Sequence, residues 1–447
     1  MTQIAPFRAL RYNPQRVDLS QVITQPYDKI TPEMQERYYA ASPYNVVRII
    51  LGKPTSTDSP ADNVYTRAGG FFREWRQSGI LRQDAEPAIY RYAQTFSWPG
   101  GKKDLQRSGF IALGKIEDYS ANVVFRHEQT LARPKADRLE LLRATRAHFG
   151  QLFMLYSDPA AEIDQLLTSR ANPDIDIRDE YGVRHCVWKV SDPGVISRVQ
   201  AAMTRKQLII ADGHHRYETA LNYRNERRAM PAAAGNKADS QTTSQGTSSP
   251  IAPYEMVMMT FIDMESPGLV ILPTHRVVHG LGSFSPEALR ERGRKYFSVE
   301  EVDASIDQHR ATVILREAGH AGTALLAVMA DRVLLLDTPR ANEPALFAGL
   351  SVQQQFLDVV QLHKCLLERV LGISEDAIRE QRNISYVRDM DEAMRQVRQG
   401  KANVAFLMNP ARMQQVRDIA FAGEVLPQKS TDFYPKLLTG LTIYALE

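Results

Sequence analysis

The stretch "LIIADGHHRYETAL", Leu208 to Leu221, constrains the fold more than any other part of the chain. Four apolar residues suit a buried strand, and Tyr217 to Tyr223 can continue as a helix. Between them stands Asp212-Gly213, and Gly213 permits a tight, left-handed turn. Amide N–H groups at the start of a helix carry the positive end of its dipole and form an anion site. His214, His215 and Arg216 add donors there, and Arg216 can grip a phosphate with two parallel hydrogen bonds. Asp212 can orient a histidine or hold Mg²⁺ through oxygen or water. A purely structural alternative has Asp212 capping the helix and the histidines as polar surface.

The rest of the chain sets few limits on the partner. It has 447 residues, 43% hydrophobic and 24% charged, with net charge +3. That near-balance gives no reason to expect nucleic acid or a membrane. No stretch reaches the roughly 18 apolar residues of a membrane span. Cys186 and Cys365 lie outside any CxxC pattern, which disfavours disulfides and zinc and fits a cytoplasmic protein. GxxxxGK[ST], a well-placed GxGxxG, HExxH, GxSxG and protein-kinase signatures are missing. Nothing in the sequence sets the oligomeric state.

Pattern along the chain predicts a mixed α/β to α+β protein. Thr31 caps a helix that starts at Pro32. "ADRLELLRATRAHFG" reads as a helix stopped by Gly150, and "DIRDEYGVRHCVWKV" as a hairpin around Gly182. "LVILPTHRVV" is a strand interrupted by Thr274, His275 and Arg276, with His275 either a satisfied core histidine, the slightly favoured reading, or a ligand. "SVQQQFLDVVQLHKCLLERVLG" belongs to the alternating strands and helices of the second half. Three regions are expected: 1–120, 121–280 and 281–447. Residues 231–252 form a mobile insertion, because small and polar residues of that kind cannot bury a core.

Two further segments carry chemistry. In "FRHEQTLARPKADRLELLR", Glu128 suits a carboxylate that deprotonates an acceptor hydroxyl. Arg126, Lys135 and Arg138 suit phosphate contacts. "LPQKSTDFYPKLLTGL" places Lys429, Ser430, Thr431, Tyr434 and Lys436 in a loop, either an active-site flap or a docked terminal segment. "QPYDKI" reads as a structural aromatic turn, with Tyr27-Asp28 a weak candidate for lining the pocket.

"GHHRYETA" resembles the phosphate loop of the ParB/sulfiredoxin-like superfamily. Gly213, His215 and Arg216 match the sulfiredoxin turn, and Tyr217 and Ala220 match the helix after it. His214 stands where sulfiredoxin has its cysteine, which argues against sulfinic acid repair. The ParB-like free serine kinases have a closer loop and an upstream His-Glu pair with a catalytic glutamate, which His127-Glu128 resembles. Here the distance from Glu128 to Asp212 is longer. The whole chain also resembles the family of domain of unknown function 1015, on "PFRALR", "QPYD", "PYNVVR", "RHEQTL", "KADRLELL", "ADGHHRYETAL", "LPTHR" and "LPQKSTDFYPKLLTGL". The resemblance implies a nucleotide-binding core with additional α/β regions at both ends. It implies phosphoryl transfer between ATP or ADP, with Mg²⁺, and a small hydroxyl compound, serine foremost. Asp212, Gly213, His214, His215 and Arg216 would bind the nucleotide, Glu128 and His127 would be catalytic, and Arg126, Lys135, Arg138, Lys429 and Ser430 would hold substrate or phosphate. Two alternatives stand beside it: a nucleotide-operated switch without catalysis, and a phosphatase using His127 with His214 or His215.

Overall fold

Nine strands form the largest sheet of the computed structural model, which describes residues 1–97, 103–128, 133–230, 251–340 and 344–447. The expected insertion 231–252 lies outside the described residues, apart from Ile251 and Ala252. The chain divides into two compact units: residues 1–126, 130–269 and 435–447 form the first, and 127–129 with 270–434 the second. The expected boundary after residue 120 falls inside the first unit, and that at 280 falls inside the second. The expected middle region is also split, because His127–Gln129 groups with the second unit. The His127 carbonyl accepts the Leu426 N–H at 2.8 Å, and Glu128 forms a parallel bridge with Leu426.

In the first unit the strands are β1 (Ile4–Ala5), β2 (Ile89–Ser97), β3 (Asp104–Lys115), β4 (Val124–Phe125), β5 (Leu152–Tyr156), β6 (Ile175–Arg178), β7 (Arg184–Val190), β8 (Leu208–Asp212) and β9 (Met256–Asp263). Their order is β4-β8-β5-β9-β3-β2-β7-β6, with β1 beside β3. The β4–β8 and β5–β9 pairs are parallel; the other pairs are antiparallel. Alternation gives the sheet two different faces. One carries Phe110, Leu152, Met154, Ile210, Met259 and Phe261 into an apolar core with Ile196, Val199, Met203 and Tyr217. The other carries Tyr92, Gln94, Arg107 and His185, all buried. The register sets Gln94 against both Arg107 and His185.

The helices follow their sequence signals closely at the start of the chain. Helix α1 (Pro32–Ala41) begins at the expected proline, and Thr31 Oγ1 accepts the Met34 N–H at 3.2 Å. Helix α2 (Val64–Gln77) follows, and then α3 (Arg133–Thr145). The expected stop of α3 at Gly150 is corrected: Arg146 itself turns left-handed, with φ 48°. Ala147-His148 then pairs with Tyr444-Ala445, so the chain is already a strand before Gly150. The hairpin is as read, with Gly182 at φ 77°. Helices α4 (Glu162–Leu167), α5 (Pro193–Met203) and α6 (His214–Ala229) complete the elements used below.

The second unit contains a six-stranded antiparallel sheet of β10 (His275–Val278), β11 (Ser298–Val302), β12 (Ala324–Val328), β13 (Val333–Asp337), β14 (Ile384–Val387) and β15 (Val404–Met408), in the order β11-β13-β12-β15-β10-β14. Its core sets Val277, Leu326, Val328 and Leu407 against helices α7 (Gln308–Gly319) and α8 (Met390–Arg398) through Leu315, Met394 and Val397. Both units are therefore mixed α/β. "LVILPTHRVV" is two strands, because Pro273 has no N–H for a ladder: Val270–Leu272 pairs with Asp432–Tyr434, and β10 starts at His275. "SVQQQFLDVVQLHKCLLERVLG" gives two single helical turns and then a π-wound segment, Leu362–Val370. Among the described residues no helix is long and apolar enough to cross a membrane.

His275 is the core histidine that the sequence suggests. It is 1% exposed, and its Nδ1 accepts the Met408 N–H at 3.3 Å. Burial, helped by Arg276, lowers its pKa to about 4. The unfolded chain binds a proton more readily, so this contribution is complete above pH 6.5 and is lost as pH falls toward 4. Up to about 3 kcal/mol is expected to disappear across that window. Urea unfolding of wild type and His275→Gln at pH 7 and pH 4.5 measures it; the variant should lose less on acidification. Equal losses in both proteins would contradict the assignment.

Candidate functional site

The turn between β8 and α6 has the form expected from the sequence. Gly213 caps the helix with φ 96°. A β-carbon there would stand 2.9 Å from Leu152 Cδ2 and 3.0 Å from Arg216 Nη2. Two costs thus meet at one position: a left-handed backbone and the close return of Arg216 over the turn. Gly213→Ala is expected to destabilise the first unit by about 1–3 kcal/mol. The midpoint of urea denaturation measures this, and an unchanged midpoint would show that the turn relaxes freely.

Arg216 lies half-buried and donates from Nη1 to the Gln151 carbonyl at 2.6 Å. It lines an open-mouthed cleft together with Tyr27, Arg138, Gly150, Thr219 and Thr439. All of these residues belong to the first unit. Arg138 sits over the Tyr27 ring, 4.2 Å from its centroid, and donates to the Ile50 carbonyl at 2.6 Å. Tyr27 is raised in pKa, first by burial and then by Asp28, while Arg216 and Arg138 oppose the rise.

Asp212 ends β8 beside this turn. Burial alone would raise its carboxyl, but Lys436, Arg216, Lys29 and His214 hold it well below the usual carboxylate range. The Lys436 ammonium stands 3.3 Å from Oδ2. It is fixed there by the polar face of the sheet. Arg107, fully buried, donates to the Gln94 side chain and to the Pro435 carbonyl, and its guanidinium lies 4.7 Å from the Phe153 centroid. Gln94 in turn donates to the Lys436 carbonyl at 2.8 Å. Behind them, His185 bonds to the Tyr92 hydroxyl at 2.6 Å and to Asp179 at 3.3 Å. A buried network thus grips the backbone of Pro435-Lys436 and aims one side chain at Asp212. Lys436 was read only as part of a polar loop, and Lys29 carried no signal of its own.

Asp212, Gly213, His214, His215 and Arg216, expected to bind nucleotide, occupy one turn, and Arg138 shares the cleft with Arg216. Arg126 is exposed, with its guanidinium 5.4 Å from the Tyr119 centroid, and does not line the cleft. Lys135 lies in α3, with its side chain outside the described residues. His127, Glu128, Lys429 and Ser430 belong to the second unit. There Glu128 Oε1 accepts the Lys429 N–H at 2.7 Å, His127 Nε2 lies 2.7 Å from Thr431 Oγ1, and Ser430 Oγ donates to the Pro427 carbonyl. The loop's donors do not fit a protein-held Mg²⁺: one carboxylate faces several cations. Among the described residues no group of three or more His, Cys, Asp or Glu could hold a metal ion.

A family model described as a protein of unknown function (DUF1015) matches residues 4–360. No curated protein matches the chain. Among solved structures, a conserved hypothetical protein from Pyrococcus furiosus is 12% identical, with 72% of this chain and 92% of that chain covered and a TM-score of 0.35. A free serine kinase variant in complex with ADP is 11% identical, with 75% and 91% covered and a TM-score of 0.36. SbnI from Staphylococcus aureus, truncated at its C-terminus, is 10% identical, with 74% and 85% covered and a TM-score of 0.33.

Proposed function

The chain belongs to the DUF1015 family, and from that premise we propose that it binds the phosphates of an adenine nucleotide, ATP or ADP, on the Asp212–Arg216 turn and transfers a phosphoryl group to or from a small hydroxyl compound, with serine the first acceptor to test. One observation carries this reading: Arg216, at a glycine-capped helix start, faces a cleft beside a carboxylate that Lys436, Arg216 and Lys29 hold strongly acidic. Such a turn suits phosphate oxygens, which accept hydrogen bonds from helix-start N–H groups and guanidinium. Lys436 and Lys29 would draw the phosphates toward the turn, and Arg138 would hold the far end of the cleft. In this reading Glu128 takes the proton from the acceptor hydroxyl.

A switch that binds nucleotide without chemistry is the second reading. What favours it is that Glu128 already holds the Lys429 N–H, an engagement that a purely structural residue would also make. A thermal-shift screen of ATP, ADP and CTP, followed by phosphorylation assays on serine and other small hydroxyl metabolites in both directions, separates the two. Stabilisation by ATP or ADP with transfer supports the kinase. Stabilisation with no transfer in either direction leaves the switch, and no stabilisation by any nucleotide removes both.

A further inference from the structure

The second unit holds a cleft of its own, lined by Ser430 among others, whereas the Asp212–Arg216 turn lies in the first unit. Arg276 forms its inner end. This residue is 1% exposed, yet among the described residues no carboxylate lies within ion-pair distance of it. Its guanidinium is held instead by neutral acceptors: the Thr274 carbonyl, Met408 Sδ at 3.3 Å and the Lys429 carbonyl at 3.1 Å. Its Nε is buried without a hydrogen-bond partner. The Tyr386 ring, its centroid 5.3 Å from the guanidinium carbon, and the charge of Glu128 offset part of this burial, but a buried cation with no close carboxylate is costly unless something completes it.

The same cleft has two more guanidinium groups at its rim. Arg316, in α7, and Arg412, at the start of helix α9 (Met413–Phe421), are both exposed, and neither is in an ion pair among the described residues. The first turn of α9 adds the positive end of a nine-residue helix. Asp358 is the single carboxylate in the lining, so three guanidinium groups face one acid. The lining also carries apolar side chains: Leu357, Val359, Met408 and Leu426.

We propose that this cleft binds a small organic anion, a phosphate or carboxylate head joined to a short apolar chain, with Arg276, Arg316 and Arg412 on the head and Leu357, Val359 and Leu426 against the chain. Guanidinium groups recognise either head by paired hydrogen bonds, and the apolar wall discriminates against the bare inorganic ion. The site lies wholly in the second unit and does not depend on nucleotide binding in the first.

Isothermal titration of the full chain carrying Arg216→Ala tests this, since that background weakens phosphate binding at the first unit's turn. The probes are n-butyl phosphate, n-hexanoate and inorganic phosphate. At least one of the two amphiphilic anions is expected to bind about tenfold or more tightly than inorganic phosphate, and the stronger of the two identifies the head. Adding Arg316→Ala with Arg412→Ala should weaken that binding by about tenfold or more. Both side chains are exposed, so the melting temperature should stay where it is. The proposal is overturned if neither amphiphilic anion outbinds inorganic phosphate, or if the arginine pair can be removed with no change in affinity.

Discussion

Glu128→Gln is expected to lower phosphoryl transfer by about 10²–10⁴ while nucleotide affinity stays nearly intact. Glutamine keeps the size of the side chain and an oxygen that accepts the Lys429 N–H, the contact Glu128 Oε1 makes at 2.7 Å. What it loses is the capacity to take a proton. The substitution therefore separates the two roles available to Glu128. As a structural pin it tolerates the change; as the proton acceptor it does not. The measurement is single-turnover transfer at saturating nucleotide, with unfolding monitored in parallel. Full transfer by the variant would remove Glu128 from the chemistry and leave the phosphate turn to be explained without it.

Arg216→Ala acts on the other half of the proposal. Removing a charge-assisted phosphate contact costs about 1.5–3 kcal/mol, on the order of a tenfold to hundredfold loss of nucleotide affinity. The guanidinium also donates to the Gln151 carbonyl and folds over Gly213, so some loss of stability accompanies the change. Arg216→Lys provides the control. It keeps a positive charge but not the planar fork, and it should recover only part of the lost affinity. Calorimetric titration of ADP into the three proteins gives the order wild type, Lys, Ala. Equal affinity in wild type and Ala would place the nucleotide phosphates away from the turn.

The sequence makes the turn legible because its signals are local. Apolar residues, one glycine and a helix-compatible run lie within a few positions, and backbone sterics do the rest. Thr31-Pro32 and Gly182 are legible for the same reason. The cations around Asp212 are not. Lys436 reaches it across 224 positions, through a grip of Arg107 and Gln94 on the backbone that no local pattern encodes. Tyr27, which the turn "QPYDKI" offers for the pocket only as a weak candidate, lines the cleft, while Lys29 beside it carries no signal of its own. The sequence places the helix stop at Gly150, because glycine is the usual left-handed stop, whereas the helix ends at Thr145 and Arg146 takes that conformation itself. His127-Glu128 sits between β4 and α3 of the first unit in sequence, yet its backbone bonds to Leu426 group it with the second. Chain proximity could not have revealed that assignment.

The first unit is finished by residues 435–447, after the whole of the second has intervened. Pro435 and Lys436 accept the buried Arg107 and Gln94 side chains, Thr439 bridges Thr24, and Tyr444-Ala445 pairs with Ala147-His148. On a ribosome, which emits the chain from its N-terminal end, those partners wait for their complement until the second unit has been synthesised. The unit encoded later holds most of its own contacts within 270–434 and can settle first. Until the last segment emerges, Arg107 lacks the carbonyl that satisfies it and Asp212 lacks its lysine. The Asp212–Arg216 turn is therefore completed only after the whole of the second unit has been made, and a nascent chain stalled before Pro435 should leave it incomplete.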